Sequence, residues 1–463
     1  MNLEIRLLEP KALWNKFADL NAVPRPSKKE ERVIAFMKDF GENLGLETIE
    51  DEVGNVIIKK PATAGMENRT TIVMQSHLDM VHQKNGDTVF DFETQGIEMF
   101  VDGDWVKAKG TTLGADNGLG VATIMAILES TDIPHPAIEA LFTIDEETGM
   151  TGAMGLKGGL LSGGILLNLD TEEDDEIGVG CAGGVDVTAS KNYLPIPSSN
   201  NANAYKITIK GLQGGHSGME IQLGLGNANK LMNRILSEVN DICSLSSLLG
   251  GSLRNAIPRE SNAIVVVAIN NEIDFLAGFE KMKNEIKNEF HHLESAINIS
   301  VKKVAVPETV MSIEDQNQFF KAVYATHNGV FRMSPSIENL VETSNNIAKI
   351  AVNNGIIKIE CLTRSSVDSS KENMVNTLSS VFDLAGFTVS FSGNYPGWAP
   401  NMDSAILKVV ATLYEKINGE KANIAACHAG LECGILGTNY PEMDMISFGS
   451  TIKGAHSPDE RAS

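Results

Sequence analysis

Three β-like runs in the first 170 residues each lead directly into side chains that can hold a cation or move a proton. Thr70–Gln75, carrying Ile72-Val73-Met74, runs into His77-Leu78-Asp79. Ile138–Ile144 runs into Asp145-Glu146-Glu147, and Gly164–Leu169 into Asp170-Thr171-Glu172. Between the first two lies Gly118–Leu128, whose Val121, Ala122, Ile124, Met125, Ile127 and Leu128 read as an apolar helix. A further run at Asn55–Lys59 and a helical opening, with Ser27-Lys28-Lys29-Glu30 as a capping box ahead of Val33, Ile34, Met37, Phe40 and Leu44, complete the pattern. Strands alternating with helices predict an α/β domain with a mostly parallel sheet. In such sheets functional groups collect beyond the C-terminal strand ends.

Near Gly183 the texture changes. Asn192–Asn203 is rich in Pro, Ser and Asn, and beyond it come strands at 204–210, 262–269, 297–306, 349–362 and 387–392. Helical patterns fill 227–239, 275–293 and 371–385. The expected organisation is an α/β domain in two parts, residues 1–184 and 396–463, interrupted by an α+β domain at 185–395 with two related halves. Pro396-Gly397-Trp398 marks the return, followed by a helix at 405–416 and strands at 423–426 and 444–447.

Charge and composition remove whole classes of function. Sixty Asp and Glu against 38 Lys and Arg give a net charge of −22, with no basic tract, which disfavours nucleic acid and anionic membrane as partners. No apolar run reaches the roughly 18–20 residues of a bilayer span, and Met1-Asn2-Leu3-Glu4-Ile5-Arg6 lacks a basic n-region followed by an apolar h-region, so no signal peptide is expected. The five cysteines are scattered, so a reducing cytoplasm is expected. A structural zinc at Cys427-His428 and Cys433 lacks a second ligand pair at zinc-finger spacing.

Taken singly, each candidate has an ordinary explanation. His77 could be a solvated turn residue, Asp116 a loop residue in Gly114-Ala115-Asp116-Asn117-Gly118, and the Asp145–Glu147 run a hydrated strand end. Gly214-Gly215-His216-Ser217-Gly218 is also a plausible turn. The combination is what points to chemistry. His77, Asp116, Glu147, Asp170 and His456 are imidazole and carboxylate donors, mostly placed just after strands, and that donor set suits zinc, with manganese or cobalt as substitutes. Two such ions sharing a carboxylate activate water and polarise a carbonyl. His82, His135, His291, His292 and His327 lack such a setting and are expected at the surface.

These motifs resemble those of the di-zinc metallopeptidase family that includes aminoacylase, carboxypeptidase G and peptidase V. The similar segments are Ser76-His77-Leu78-Asp79-Met80-Val81, Gly114–Gly118, Asp145-Glu146-Glu147-Thr148-Gly149 and Asn168-Leu169-Asp170. They continue through Gly215-His216-Ser217-Gly218, His428-Ala429-Gly430-Leu431-Glu432-Cys433-Gly434 and His456-Ser457-Pro458-Asp459-Glu460. They span nearly the whole chain in the family's order.

The resemblance implies two divalent metal ions, zinc first. Asp116 would bridge them, His77 and Asp170 would complete one site, and Glu147 and His456 the other. It implies Glu146 as general base and Asp79 as the carboxylate that orients His77. It places His216, Asn255, Arg364 and Gly430 at the substrate, His216 holding the oxyanion from its own chain or a dimer partner, and Arg364 the C-terminal carboxylate. The expected activity is hydrolysis of unblocked dipeptides, Xaa-His such as carnosine foremost, by a homodimer joined through the inserted domain. The alternatives are an N-acyl amino acid amidase, a tripeptidase, or a catalytically silent metal or peptide binder. Family members usually continue past the last metal histidine into another helix. This sequence stops at Arg461-Ala462-Ser463, so the expectation is a catalytic domain without that helix and a looser second metal site.

Overall fold

The run at Ile72-Val73-Met74 forms the strand Ile72–His77, buried from Val73 onward. Its neighbour Ile138–Thr143 is buried at every residue, as befits strands covered on both faces. Both belong to an eight-stranded sheet with the order Glu47–Glu50, Val56–Lys60, Ile138–Thr143, Ile72–His77, Ile165–Asn168, Asp444–Ser447, Glu176–Cys181, Asn423–Cys427. The centre is parallel: Ile72–His77 pairs that way with Ile138–Thr143 and with Ile165–Asn168, which in turn pairs with Asp444–Ser447. The outer pairs toward Glu47–Glu50, and Ser447 with Gly178, are antiparallel. The register sets His77 opposite Thr143 and Gln75 opposite Asn168. Three strands therefore end together, and their following residues emerge side by side.

This computed structural model describes residues 2–463. It comprises two units, the first made of Met1–Gly180, Pro400–Ala426 and Leu431–Ser463, the second of Cys181–Ala399 and Cys427–Gly430. In the first unit Val33 and Met37 of the helix Glu31–Asn43, and Val121, Ile124, Met125 and Leu128 of the helix Ala115–Glu129, pack on Val56, Ile58, Ala140 and Phe142 of the sheet. A Cβ on Gly120 would come within 2.6 Å of Asn117 Oδ1, Ser76 Oγ and the Leu169 carbonyl. Only glycine lets that helix sit so close to the strand ends. A four-stranded sheet pairs Ile452–Lys453 with Arg461–Ala462, and the latter with Trp105–Ala108. His456 lies on the loop between those two terminal strands.

The second unit is a nine-stranded sheet in which every recorded pair is antiparallel. Its helices Ala228–Glu238, Glu272–Phe290, Ile313–Ala325 and Asp368–Leu384 bury Leu231, Ile235, Phe275, Phe279, Phe319 and Phe382 with Ile207, Val265, Ile347 and Ile359 of the sheet. The helix Ala228–Glu238 is capped by Asn227, whose side chain accepts the amides of Asn229 and Lys230.

Two local expectations are corrected. Ser27 and Glu30 form no capping box: the helix begins at Glu31 without a side-chain cap. The Ser27 hydroxyl donates to the Met80 carbonyl, and Glu30 Oε1 accepts the amides of Lys28 and Asp145. Tertiary partners outbid the local cap. His135 is buried rather than at the surface, its Nδ1 bonded to the Pro136 carbonyl at 2.7 Å, and His327 is half-buried.

Candidate metal centre

His77 is the last residue of its strand and is fully buried. Its Nδ1 lies 3.2 Å from Asp79 Oδ1, and its Nε2 lies 3.2 Å from Asp116 Oδ1 and 3.5 Å from Asp170 Oδ1. On the far side of the same carboxylate, Asp116 Oδ2 lies 3.2 Å from His456 Nε2, which is 3.1 Å from Glu147 Oε2. Donor atoms of His77, Asp116 and Asp170 lie within 4.8 Å of one another, and so do those of Asp116, Glu147 and His456. Asp116 thus faces two imidazole–carboxylate clusters, one with each oxygen.

The backbone is shaped to make this possible. Asp116 (φ −83°, ψ 110°) and Asn117 interrupt the helical dihedrals of Ala115–Glu129. Asp145 (φ +52°) and His456 (φ +62°) are non-glycine residues in the left-handed region, a conformation that costs about 1 kcal/mol or more per residue and gathers at functional sites.

Buried carboxylates support the clusters from behind. Asp79 Oδ1 and Oδ2 accept the amides of Glu146 and Glu147 at 3.0 and 3.3 Å, so the group orienting His77 also fixes the turn bearing both glutamates. Glu460 accepts the amides of Leu113, Gly114, Ala115 and Asp116 at 2.7–3.3 Å. Arg25, buried, donates to the carbonyls of Leu78, Asp79 and Gly114. Asn117 donates to the Leu169 carbonyl at 2.7 Å and to Asp170 Oδ1. Glu460 and Arg25 escaped the sequence reading; Glu460 stood within a recognised motif, whereas Arg25, between two prolines, carried no signal.

The electrostatics call for a cation. Burial disfavours a charged His77 ring, yet Asp170, Asp116 and Asp79 outweigh it and raise its pKa well above the usual imidazole value. Hydrogen bonds that His456 donates to the Asp116 and Glu147 carboxylates push its pKa up to about 11. Burial, then the charges of Asp116 and its neighbours, raise Glu147 and Asp170. Glu147 Oε1 is buried with no hydrogen-bond partner. Hard oxygen donors with two imidazoles, one bare buried oxygen and excess negative charge fit a pair of divalent ions.

Glu146 is placed differently. It shares a 4.8 Å donor cluster with His77 and Glu147 but belongs to neither cluster around Asp116. Burial first, and then the negative charges of Asp170, Glu432 and Glu147, raise its pKa well above the normal carboxyl value. A carboxylate in that field holds a proton readily.

The remaining site candidates lie in the second unit. His216 pairs with Ala256 across a short ladder, and the Ser217 amide bonds to the Asn255 carbonyl at 2.8 Å. His216 Nδ1 accepts the amides of Gly218 and Met219 at 3.2 Å, leaving Nε2 as the donor. Arg364 is buried, stands opposite Ser344 and Gly184 in the sheet, and donates to Tyr395 Oη at 2.9 Å. His428 Nε2 lies 2.7 Å from Ser344 Oγ. A Cβ on Gly218 would lie 2.2 Å from the His428 carbonyl and 3.1 Å from His216 Cε1, so the Gly218 contact joins His216 to the His428–Gly430 segment. Asn255 itself is exposed and Gly430 half-buried. Ser344 and Tyr395 were not among the sequence candidates, and His428 stood within a recognised motif without an assigned site role.

Comparisons with known proteins agree with this geometry. The model of peptidase family M20/M25/M40 matches residues 73–463. The cytosol non-specific dipeptidase of Escherichia coli (strain K12) is 44% identical over 462 residues, 99% of this chain and 95% of that protein. The crystal structure of aminoacylhistidine dipeptidase from Vibrio alginolyticus superposes with a TM-score of 0.92 at 45% identity, covering 99% of this chain and 94% of that one. The aminopeptidase PepT structure from Bacillus cereus, at 16% identity and a TM-score of 0.56 over 98% of this chain and 93% of that one, shares the fold. The matched motifs, the two clusters on Asp116 and these relatives show that the chain belongs to peptidase family M20/M25/M40.

Proposed function

We propose that this chain is a two-metal dipeptidase that cleaves the peptide bond of unblocked dipeptides, with Xaa-His favoured. The observation that carries the reading is Asp116, whose two oxygens face two separate clusters of imidazole and carboxylate. His77, Asp116 and Asp170 would hold one ion, and Asp116, Glu147 and His456 the other, zinc being preferred by the imidazole content. Bound there, the ions supply Lewis acidity that acidifies a water and polarises the scissile carbonyl. Glu146 takes the proton of the attacking water and returns it to the leaving amine, a task suited to a carboxylate whose proton affinity is raised. Asp79 keeps the His77 ring in one tautomer and holds the Glu146–Glu147 turn in place.

Residues of the second unit supply recognition. His216, with Nδ1 engaged by backbone amides, presents Nε2–H as donor to the oxyanion. Arg364 takes the C-terminal carboxylate, with Asn255 and Gly430 beside the substrate. We assign residues 185–395 as a lid and dimerisation domain between the two parts of the catalytic domain, and place the enzyme in the cytoplasm as a homodimer. The name of the Escherichia coli relative supports that location.

The names of the two similar dipeptidases support the dipeptide class and differ on breadth, one reading non-specific and the other naming aminoacylhistidine. Amino-acid release from a panel of Xaa-His dipeptides, other dipeptides, tripeptides and N-acetyl amino acids tests the proposal. Preferential cleavage of free Xaa-His supports it. Preference for N-acetyl substrates or tripeptides, or no cleavage at all by metal-loaded protein, rejects it.

A further inference from the structure

Beneath the metal clusters lies a layer of polar side chains contributed by the residues two positions before His77, Asp145 and Asp170. Gln75, Thr143 and Asn168 are all fully buried. Gln75 Nε2 and Thr143 Oγ1 each donate to Glu432 Oε2 at 2.6 Å, and Gln75 Nε2 also meets Thr143 Oγ1 at 3.0 Å. Asn168 Nδ2 donates to Gln75 Oε1 at 2.5 Å, and Ser447 Oγ donates to Asn168 Oδ1. Along an extended strand, residues two apart share a face. Gln75 therefore shares a face with His77, while Thr143 and Asn168 are the last residues of their strands, just before the turns that lead into the site.

Glu432 ties the layer together. It opens the helix Glu432–Asn439, is fully buried, and its Oε1 has no hydrogen-bond partner. Burial, with Asp170 and Asp79 nearby, pushes its pKa up to about 7. An acid with one bare oxygen is a poor choice for stability, since an apolar residue of similar volume would avoid the desolvation cost. What Glu432 gains is the alignment of three strand ends. We infer that Glu432 is a positioning residue for metal binding, fixing the strand ends at Gln75 and Thr143 directly and that at Asn168 through Gln75, so that His77 and Asp170 converge on Asp116. The second cluster, Glu147 and His456, has further supports of its own: the Asp79 contacts to the Glu146–Glu147 turn and the short strands that flank His456. Glu432 thus governs one metal position more than the other, and the inference rests on the ligand assignment proposed above.

Cobalt(II) titrated into the chelated full-length protein, followed by its visible absorption and by calorimetry, tests this. Glu432→Leu should weaken one equivalent by about 10- to 100-fold, the usual effect of losing an outer-shell partner, and leave the other within about twofold. Glu432→Gln, whose amide oxygen can accept from both Gln75 and Thr143, should restore both equivalents. Should Glu432→Leu not fold, Thr143→Val removes one donor with little change in shape and should shift the same equivalent in the same direction. Unaltered affinities at both positions in the variants, or equal loss at both that Glu432→Gln fails to rescue, would overturn the inference. Wild-type protein that takes up fewer than two ions would instead overturn the metal assignment.

Discussion

Asp79 Oδ1 accepts the backbone amide of Glu146 at 3.0 Å, so the carboxylate behind the His77 ring also sets the position of the proposed base. Asp79→Asn is predicted to weaken metal uptake by about 10- to 100-fold and to lower kcat as well, because the amide cannot accept from His77, Glu146 and Glu147 together. Metal titration alongside steady-state kinetics checks it. A variant that binds metal normally and turns over normally would count against the dual role.

Glu146→Gln separates catalysis from metal binding. Glu146 lies outside both clusters centred on Asp116, so metal content should stay at the wild-type level while kcat falls by about 10²- to 10⁴-fold. Loss of metal in this variant would make Glu146 a ligand; unchanged turnover would remove it from the reaction.

Arg364→Ala should raise KM and lower kcat/KM by about 10- to 100-fold for dipeptides with a free C-terminus, the worth of a charge-assisted hydrogen bond. On the corresponding dipeptide amides the wild type and the variant should perform alike. An equal loss on both substrate sets would show that Arg364 supports the fold through Tyr395 rather than reading the carboxylate.

His428 predicts an acid sensitivity. Burial, and next the Arg364 charge, push its pKa down to about 3, whereas an unfolded histidine titrates near about 6.5. The folded state therefore binds this proton less tightly than the unfolded state. The stability contribution is complete above the unfolded value and is lost as pH falls from there toward 3. Between pH 7.5 and 5 this histidine alone should cost about 2 kcal/mol, and His428→Gln should remove that part of the slope. Denaturation curves at the two pH values, with identical pH dependence in variant and wild type, would reject it.

The legible parts of this molecule were those governed by local pattern. Apolar runs such as Ile72-Val73-Met74 became central strands, and donors placed just after them, His77, Glu147 and Asp170, converge because parallel strands in register end at one edge. His456 was found through its motif, since its place depends on pairing between Arg461–Ala462 and Trp105–Ala108, over 350 residues apart. The roles of Glu460, Arg25 and Glu432 were illegible for the same reason. A buried charge has meaning only through partners, and Glu460 meets amides about 345 residues away while Glu432 meets Gln75 across 357. The capping-box reading at Ser27 failed because a local pattern met stronger distant partners, the Met80 carbonyl for Ser27 and the Asp145 amide for Glu30.

A shared role for Asp116, which would serve two ions in peptide hydrolysis, is the centre of the proposed mechanism. Its most direct test is to strip the protein with a chelator, return zinc in measured increments, and follow bound metal and Xaa-His cleavage in the same samples. Two ions per chain, with no cleavage in the stripped protein and full cleavage regained as both positions fill, is the predicted result. Cleavage that survives complete metal removal, or a chain that saturates with one ion and is fully active, would contradict it.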